Sequence, residues 1–166
     1  MQINKILITI VLVLFSFNVS ANAPRSTGKY KNWESFSIEK DKGKICFAQS
    51  IPTKRAPASI KRESSRLFVT FRPKENIKDE ISITSGHQYK ASSVVAKSGK
   101  SNYTFFSQEK FAWLLDEKEE QSFIKLMKRA TNLIVKARMS NGAETTDHYS
   151  MMGFTKAYNT AKKTCN

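Results

Sequence analysis

Two cysteines constrain the fold of this chain more than any other sequence feature. Cys46 lies in the first third of the 166 residues, and Cys165 is next to last. Between them, residues 147–165 predict the end of a strand, a glycine break at Gly153 and a short amphipathic helix. The apolar face of that helix would carry Phe154, Ala157, Tyr158 and Ala161. A bond between the two cysteines would therefore tie the two ends of the domain together.

The first 23 residues have the composition of an export signal. Lys5 supplies a positive amino-terminal region, an apolar run of about 12 residues follows over 6–17, and small residues follow over 18–23. A bilayer span needs roughly 20 apolar residues, so this run predicts a cleaved signal peptide and not a membrane anchor. We place it at residues 1–21, with cleavage after Ala23 as the alternative. With no later apolar run, the mature protein is expected to be periplasmic or secreted and not membrane-spanning.

Export decides how the cysteines are interpreted. In an oxidising compartment, two cysteines indicate one disulfide sooner than a metal or catalytic site. A metal site would need more ligands than the two distant cysteines, His87 and His148 offer. We therefore predict a Cys46–Cys165 disulfide, no metal and no cofactor. Its closed loop of about 120 residues would stabilise the fold by roughly 4–5 kcal/mol.

The chain is strongly basic. Lys and Arg number 28 against 14 Asp and Glu, a net charge of 28 − 14 = +14, or +13 once Lys5 is removed. Such a charge favours anionic partners, which include lipopolysaccharide, lipid headgroups, cell-wall polymers, nucleic acid and acidic proteins. Nucleic acid is disfavoured, because the protein is expected to be exported and has no basic motif interleaved with aromatic residues. The alternative is that the charge serves solubility alone.

Residues 22–32 predict a flexible leader, and residues 33–166 a single domain. Hairpins are expected around turns at 41–43, 98–100 and 141–142, the last being Asn141-Gly142, and a further strand stops before Pro73. Residues 51–65 predict a loop. Asp116 is an N-cap for a helix near 117–130, and the carboxy-terminal helix falls near 154–163. About eight short strands with two helices favour a mainly antiparallel β-sandwich.

Three motifs in order along the chain resemble one known family. The first is Trp33 followed by Lys-Ile-Cys-Phe-Ala at 44–48, and the second is Phe-Ala-Trp-Leu at 111–114. The third is Asn-Gly at 141–142 followed by Asp-His-Tyr-Ser-Met-Met-Gly-Phe-Thr-Lys-Ala at 147–157. Together they resemble the invasion-associated locus B family of exported alphaproteobacterial proteins. The resemblance implies an immunoglobulin-like β-sandwich with the Cys46–Cys165 link, association with host cells and no catalytic motif.

The residues themselves give little support for catalysis. Asp147 and His148 are adjacent in a predicted strand and would therefore point to opposite faces. No Gly-x-Ser-x-Gly turn is present. His87 follows a Ser-Gly turn and is expected to be an exposed loop residue, and the two tryptophans, Trp33 and Trp113, are expected to be core anchors. A hydrolase would need clustered polar residues with perturbed pKa values in a cleft.

The best functional candidate in the sequence is a basic surface. It combines the loop around residues 54–66 with a hairpin tip, and its candidate anion-binding residues are Lys54, Arg55, Lys61, Arg62, Arg66, Lys97 and Lys100. We therefore predict a non-enzymatic, exported binding protein of the bacterial envelope whose partner is an anionic envelope or host-surface component. The alternative is an accessory or inhibitor protein that binds another envelope protein.

Overall fold

Antiparallel strands dominate residues 23–166, the part of the chain that this computed structural model describes. The strands are β1 Arg25–Tyr30, β2 Trp33–Lys40, β3 Gly43–Ser50, β4 Lys54–Ala56, β5 Arg66–Arg72, β6 Ile77–Thr84, β7 Val94–Ser98, β8 Ser101–Gln108, β9 Phe111–Trp113, β10 Asn132–Arg138 and β11 Glu144–Ser150. The helices are α1 Glu117–Arg129 and α2 Phe154–Cys165. The mainly β, antiparallel prediction with two helices is confirmed, whereas the immunoglobulin-like sandwich stays a prediction. The predicted signal peptide lies outside the described residues.

One continuous sheet contains all eleven described strands, in the order β1-β2-β3-β5-β6-β9-β8-β7-β10-β11-β4. Strand β8 joins its two halves. Residues 101–105 of β8 pair with β7, and residues 106–108 pair with β9. We call β1, β2, β3, β5, β6 and β9 half A, and β7, β10, β11 and β4 half B.

Both halves bury one face in the same core. Alternate residues of half A point inward, as do alternate residues of half B, because side chains along a strand alternate between its faces. The buried positions include Cys46, Ala48, Leu67, Val69, Phe71, Leu133, Val135 and Ala137. Trp33 joins the halves, since its ring packs 4.8 Å from that of Phe154 and its Nε1–H donates to the Ser150 carbonyl oxygen at 2.9 Å. Its predicted role as a core anchor is confirmed.

Helix α1 begins where the sequence predicts. The Asp116 Oδ1 atom accepts hydrogen bonds from the backbone N–H groups of Lys118 at 2.8 Å and Glu119 at 3.1 Å, which satisfies two of the first free donors of the helix. Its apolar stripe is buried, and the Phe123 ring lies edge-on to that of Phe105 at 5.6 Å. The helix is thereby fixed against β8.

Helix α2 packs on β1, β2, β3 and β5 and closes the fold. The predicted apolar face is buried, and Cys165 at its end is bonded to Cys46 of β3 with a Cα–Cα distance of 5.7 Å. The predicted disulfide is confirmed. At the start of the helix, Gly153 has φ +97°, and a Cβ there would overlap the carbonyl oxygen of Tyr30. Glycine is needed here for both the left-handed backbone and the close approach of β1.

The prediction of a flexible leader over 22–32 is wrong for the residues of β1. Residues 25–30 form an edge strand on β2, and the Tyr30 hydroxyl lies 2.9 Å from Thr160 Oγ1 of α2. The polar sequence Arg-Ser-Thr-Gly-Lys-Tyr lacks apolar alternation, so its strand depends on backbone pairing with β2 and on docking against α2.

Two further strands were not expected. Strand β4 lies inside the predicted loop 51–65 and pairs with β11, while β9 is a three-residue strand between β6 and β8. Both are too short to show a period in the sequence. Neither helix of the described part has the length and apolar composition needed to cross a lipid bilayer.

Candidate functional site: a basic sheet face

The outer face of half B carries a row of aligned side chains across four strands. His148 of β11 lies opposite Lys54 of β4 and opposite Ile134 of β10, and Ile134 lies opposite Lys97 of β7. Residues directly paired across strands project to the same side of a sheet. Asp147, the neighbour of His148, is fully buried, so this row faces outward. Three steps of about 4.8 Å between neighbouring strands separate Lys54 from Lys97, so their backbone positions lie roughly 14 Å apart across the sheet.

The next row adds a third lysine. Lys136 of β10 lies opposite Thr146 of β11 and Val95 of β7. Lys54, Lys97 and Lys136 are all exposed, and none of them forms an ion pair with another residue of the described chain. We call the surface formed by Lys54, Lys97, Lys136 and His148 the basic face. It is a cationic surface whose lysines form no salt bridge within the described residues, and the charge of Lys136 also helps to lower the pKa of the nearby Glu144 carboxyl.

A shallow cavity of about 340 Å³ continues the basic face at the far end of β10 and β11. Lys90, Ser92, Lys136, Arg138 and Thr146 are among its lining residues. Its one acid is Glu144, which pairs with Arg138 at 2.6 Å. That contact lowers the pKa of the Glu144 carboxyl. Cations and hydroxyl groups around one cavity provide the donors that a phosphate or carboxylate group accepts from.

The structure brings together only some of the predicted anion-binding residues. Lys54 and Lys97 lie on the basic face, and Lys100 is exposed in the β7–β8 turn beside it. Lys61 is exposed in the loop that follows β4. Arg66 belongs to β5 of half A and has a buried Nε atom without a hydrogen-bond partner. It therefore lies in the other half of the sheet from the basic face.

Arg62 is not a surface residue, which corrects its prediction. Its side chain is 2% exposed and forms a two-pronged ion pair with Asp147, with one Nη1–Oδ2 distance of 2.8 Å. The same Nη1 donates to the Ser85 carbonyl oxygen at 2.9 Å and to Ser65 Oγ at 3.0 Å. A buried carboxylate and a buried guanidinium stabilise each other only when paired and hydrogen-bonded in this way. Arg62 thus fastens the 57–65 loop to β11.

Arg55 is also directed inward. Arg55 of β4 lies opposite Asp147 of β11 in the strand register, so its side chain projects to the same inner face as that of Asp147. Its Nη2 donates to the Glu63 carbonyl oxygen. Its guanidinium is used within the loop. The basic character of residues 54–66 therefore reflects internal bonding as much as surface charge.

Sequence reasoning missed Lys136 as a site residue. The signal was present, because the alternation of β10 places Asn132, Lys136 and Arg138 on the polar side and the Asn141-Gly142 turn fixes the pairing with β11. Joining Lys136 to Lys97 and Lys54, however, requires the β7–β10 and β11–β4 pairings. These pairings connect distant parts of the chain and leave no local pattern.

His87 is buried, so its expected exposure was wrong. Its Nδ1–H donates to the Gln88 carbonyl oxygen at 3.0 Å, and its Nε2 lies 2.9 Å from Thr145 Oγ1. Burial lowers the pKa of the imidazole, and the nearby Arg62 lowers it further. Asp147 and His148 do point to opposite faces, as predicted, since Asp147 is buried and His148 lies on the basic face.

A second surface, on half A, is apolar. Trp113 is only half-buried, so its predicted role as a core anchor was wrong. It pairs across β9 and β8 with Phe106, which is 47% exposed, and its ring stacks on that of Phe111 at 5.9 Å. Exposed apolar clusters of this kind commonly mark contact surfaces.

Comparison with known proteins identifies no relative: no family model, curated protein or solved structure matches this chain. Within residues 23–166, no cluster of three or more His, Cys, Asp or Glu side chains is arranged to hold a metal ion. The class of protein is therefore defined by the structure alone: a mainly β protein, closed by a disulfide, that carries a basic face.

Proposed function

We propose that this protein is an exported, non-enzymatic binding protein of the bacterial envelope that holds a phosphate-bearing polyanion on its basic face. The observation that carries the proposal is the outward alignment of Lys54, Lys97 and Lys136, none of which forms a salt bridge within residues 23–166. The signal-like amino terminus and the resemblance to the invasion-associated locus B family support export. Host-cell association belongs to the same proposal and would use the same surface.

A row of exposed cations spread across several strands suits a polymer or a lipid surface better than a small molecule. Several cations about 5–15 Å apart match repeated negative groups, and each contributes little alone but adds to the field felt by an approaching polyanion. Binding of this kind weakens with salt, because exposed charges are screened within about 8 Å at physiological ionic strength.

The test uses lipopolysaccharide vesicles as the polyanion and compares two triple variants. Lys54→Gln, Lys97→Gln and Lys136→Gln together should weaken binding at least tenfold and flatten its salt dependence. The matched control is Lys118→Gln, Lys125→Gln and Lys163→Gln, which removes the same charge from exposed positions on the helices. Equal losses in both variants would show that only net charge matters and would contradict a site on the basic face.

An accessory or inhibitor protein that binds another envelope protein is the second candidate function. The exposed Phe106 and Phe111 favour it, since a charge-driven polyanion contact does not require them. Such a partner would remain bound at a salt concentration that releases the vesicles.

A further inference from the structure

The largest apolar exposure of the described chain borders a groove of about 670 Å³ between β6 and the β9–α1 connection. Its apolar end consists of Phe106, Trp113 and Leu115, the last of which is 75% exposed. None of these three side chains belongs to the core cluster or packs against it. The volume lies in the range of ligand sites, and the open shape suits an extended segment.

The apolar end continues an aromatic strip over the outer face of half A. Trp113 lies opposite Ser82, which lies opposite Phe68. The Phe68 ring contacts that of Phe47 at 6.0 Å, and Phe47 stacks on Phe36 at 5.2 Å. A partner seated in the groove therefore has further apolar surface to cover along the strip, which favours a polypeptide over a compact ligand.

The other end of the groove is acidic. Glu80, Glu117 and Glu120 line it against one cation, Lys78. Glu80 is neutralised by Arg72, whose Nη2 lies 2.7 Å from its Oε2. Glu117 and Glu120 have no ion pair within residues 23–166, and we call these two carboxylates the acidic end.

Glu120 is held in place but lacks a counter-ion. Its Oε1 accepts the Ile81 backbone N–H at 3.1 Å, where a neighbouring strand would otherwise supply an acceptor. The pKa of its carboxyl is raised to about 7, mainly by burial and also by the nearby carboxylates of Glu80, Asp79 and Glu117, against the lowering effect of the Ile81 N–H. A cation placed beside Glu120 would relieve this repulsion.

We propose that the groove binds a cationic amphipathic segment of another protein, with a lysine or arginine at the acidic end and apolar side chains on the apolar end. Charge complementarity selects the occupant, because a polyanion would meet two uncompensated carboxylates. An aliphatic or aromatic side chain would cover the exposed rings, and a cation close to Trp113 would also gain from the ring face. The groove is distinct from the basic face and does not depend on the polyanion proposal.

The test is a calorimetric titration of the exported protein with acetyl-Lys-Leu-Lys-Phe-Lys-Leu-Lys-amide, with glutamine in place of lysine as the neutral comparison peptide. The basic peptide should bind at least tenfold more tightly than the neutral one, although the protein itself is basic. Glu120→Gln should weaken this binding about tenfold, because the glutamine still accepts the Ile81 N–H but carries no charge. Glu144→Gln, an equal charge change at the edge of the basic face, should leave it unchanged.

The pH dependence provides an independent readout. The Glu120 carboxyl is protonated below about pH 7 and charged above it, so the basic peptide should bind more weakly at pH 6 than at pH 8. Glu120→Gln should remove that difference, and Trp113→Ala should weaken binding at both pH values.

Three results would overturn the proposal. The first is equal affinity for the basic and neutral peptides, and the second is an equal effect of Glu120→Gln and Glu144→Gln. The third is a concentration-dependent dimer in sedimentation that Trp113→Ala abolishes, since a second copy of the chain would then be the occupant. If vesicle binding is lost and peptide binding is kept, that result concerns only the proposal for the basic face and does not contradict the proposal for the groove.

Discussion

Arg62 shows that a basic residue in a charged stretch of sequence can serve a buried ion pair and not a charged surface. It lies 85 positions from Asp147, and both side chains are at most 2% exposed. Composition placed it among surface cations, whereas the fold uses it as an internal tie between the 57–65 loop and β11. No local pattern predicts such a pairing, because its partner is defined only when β4 docks on β11.

The energy of this tie can be measured with a double-variant cycle. Arg62→Met should lower the free energy of unfolding by about 3–5 kcal/mol, because it leaves the Asp147 carboxylate buried without a partner. Arg62→Met with Asp147→Leu should cost clearly less than the sum of the two single variants, as both charges are then removed. Urea unfolding gives all four values. Strict additivity would mean that the two side chains do not stabilise each other.

At the scale of elements, the sequence predicted those strands and helices that are marked by a local pattern, such as a turn glycine, a helix cap or apolar alternation. The Asn141-Gly142 turn, the glycine turns of the other two hairpins and the Asp116 cap all lie where expected. Strand β1 was not predicted because it is polar throughout and lacks apolar alternation, and strands β4 and β9 were not predicted because they have only three residues each. The same limit applies to the site: Lys54 and Lys97 were identified as basic, but their alignment depends on strand register.

Helix α2 depends on one glycine, and a matched pair of variants tests this. Gly153 and Gly142 have similar φ values of +97° and +92°, but only Gly153 faces another backbone, that of Tyr30. Gly142→Ala should lower the free energy of unfolding by about 1 kcal/mol, because alanine is strained in the left-handed backbone conformation. Gly153→Ala should lower the free energy of unfolding by about 1–3 kcal/mol more than Gly142→Ala, because β1 and the start of α2 must move apart to make room for the added Cβ.

Thermal or urea unfolding of the two alanine variants separates these contributions. Amide exchange should also quicken in β1 for Gly153→Ala and stay unchanged there for Gly142→Ala. Equal stabilities would show that the approach of Tyr30 to the helix start is not tight in solution.

For the molecule as a whole, the disulfide joins the last residue of α2 to β3, an interior strand of the sheet, across 119 positions. A loop of that length loses much conformational freedom when the chain is unfolded but cross-linked. Cys46→Ser with Cys165→Ser should therefore lower the free energy of unfolding by about 4–5 kcal/mol. Urea unfolding with and without reductant measures this, and the reduced parent protein should match the double variant. A double variant as stable as the oxidised parent would contradict a stabilising role for the bond.

The position of that bond also decides how the domain responds to a pulling force. When the two ends are pulled apart, tension runs from β1 through β2 and β3 to Cys46 and then crosses directly to Cys165. Only residues 25–46 can be drawn out, to a length of roughly 75 Å, whereas the reduced chain could extend to roughly 480 Å. The closed loop of residues 47–164, which includes the basic face and the groove, carries none of the load. A domain tethered at both ends would therefore lose β1, β2 and the first residues of β3, while no tension would reach the closed loop that contains its binding surfaces.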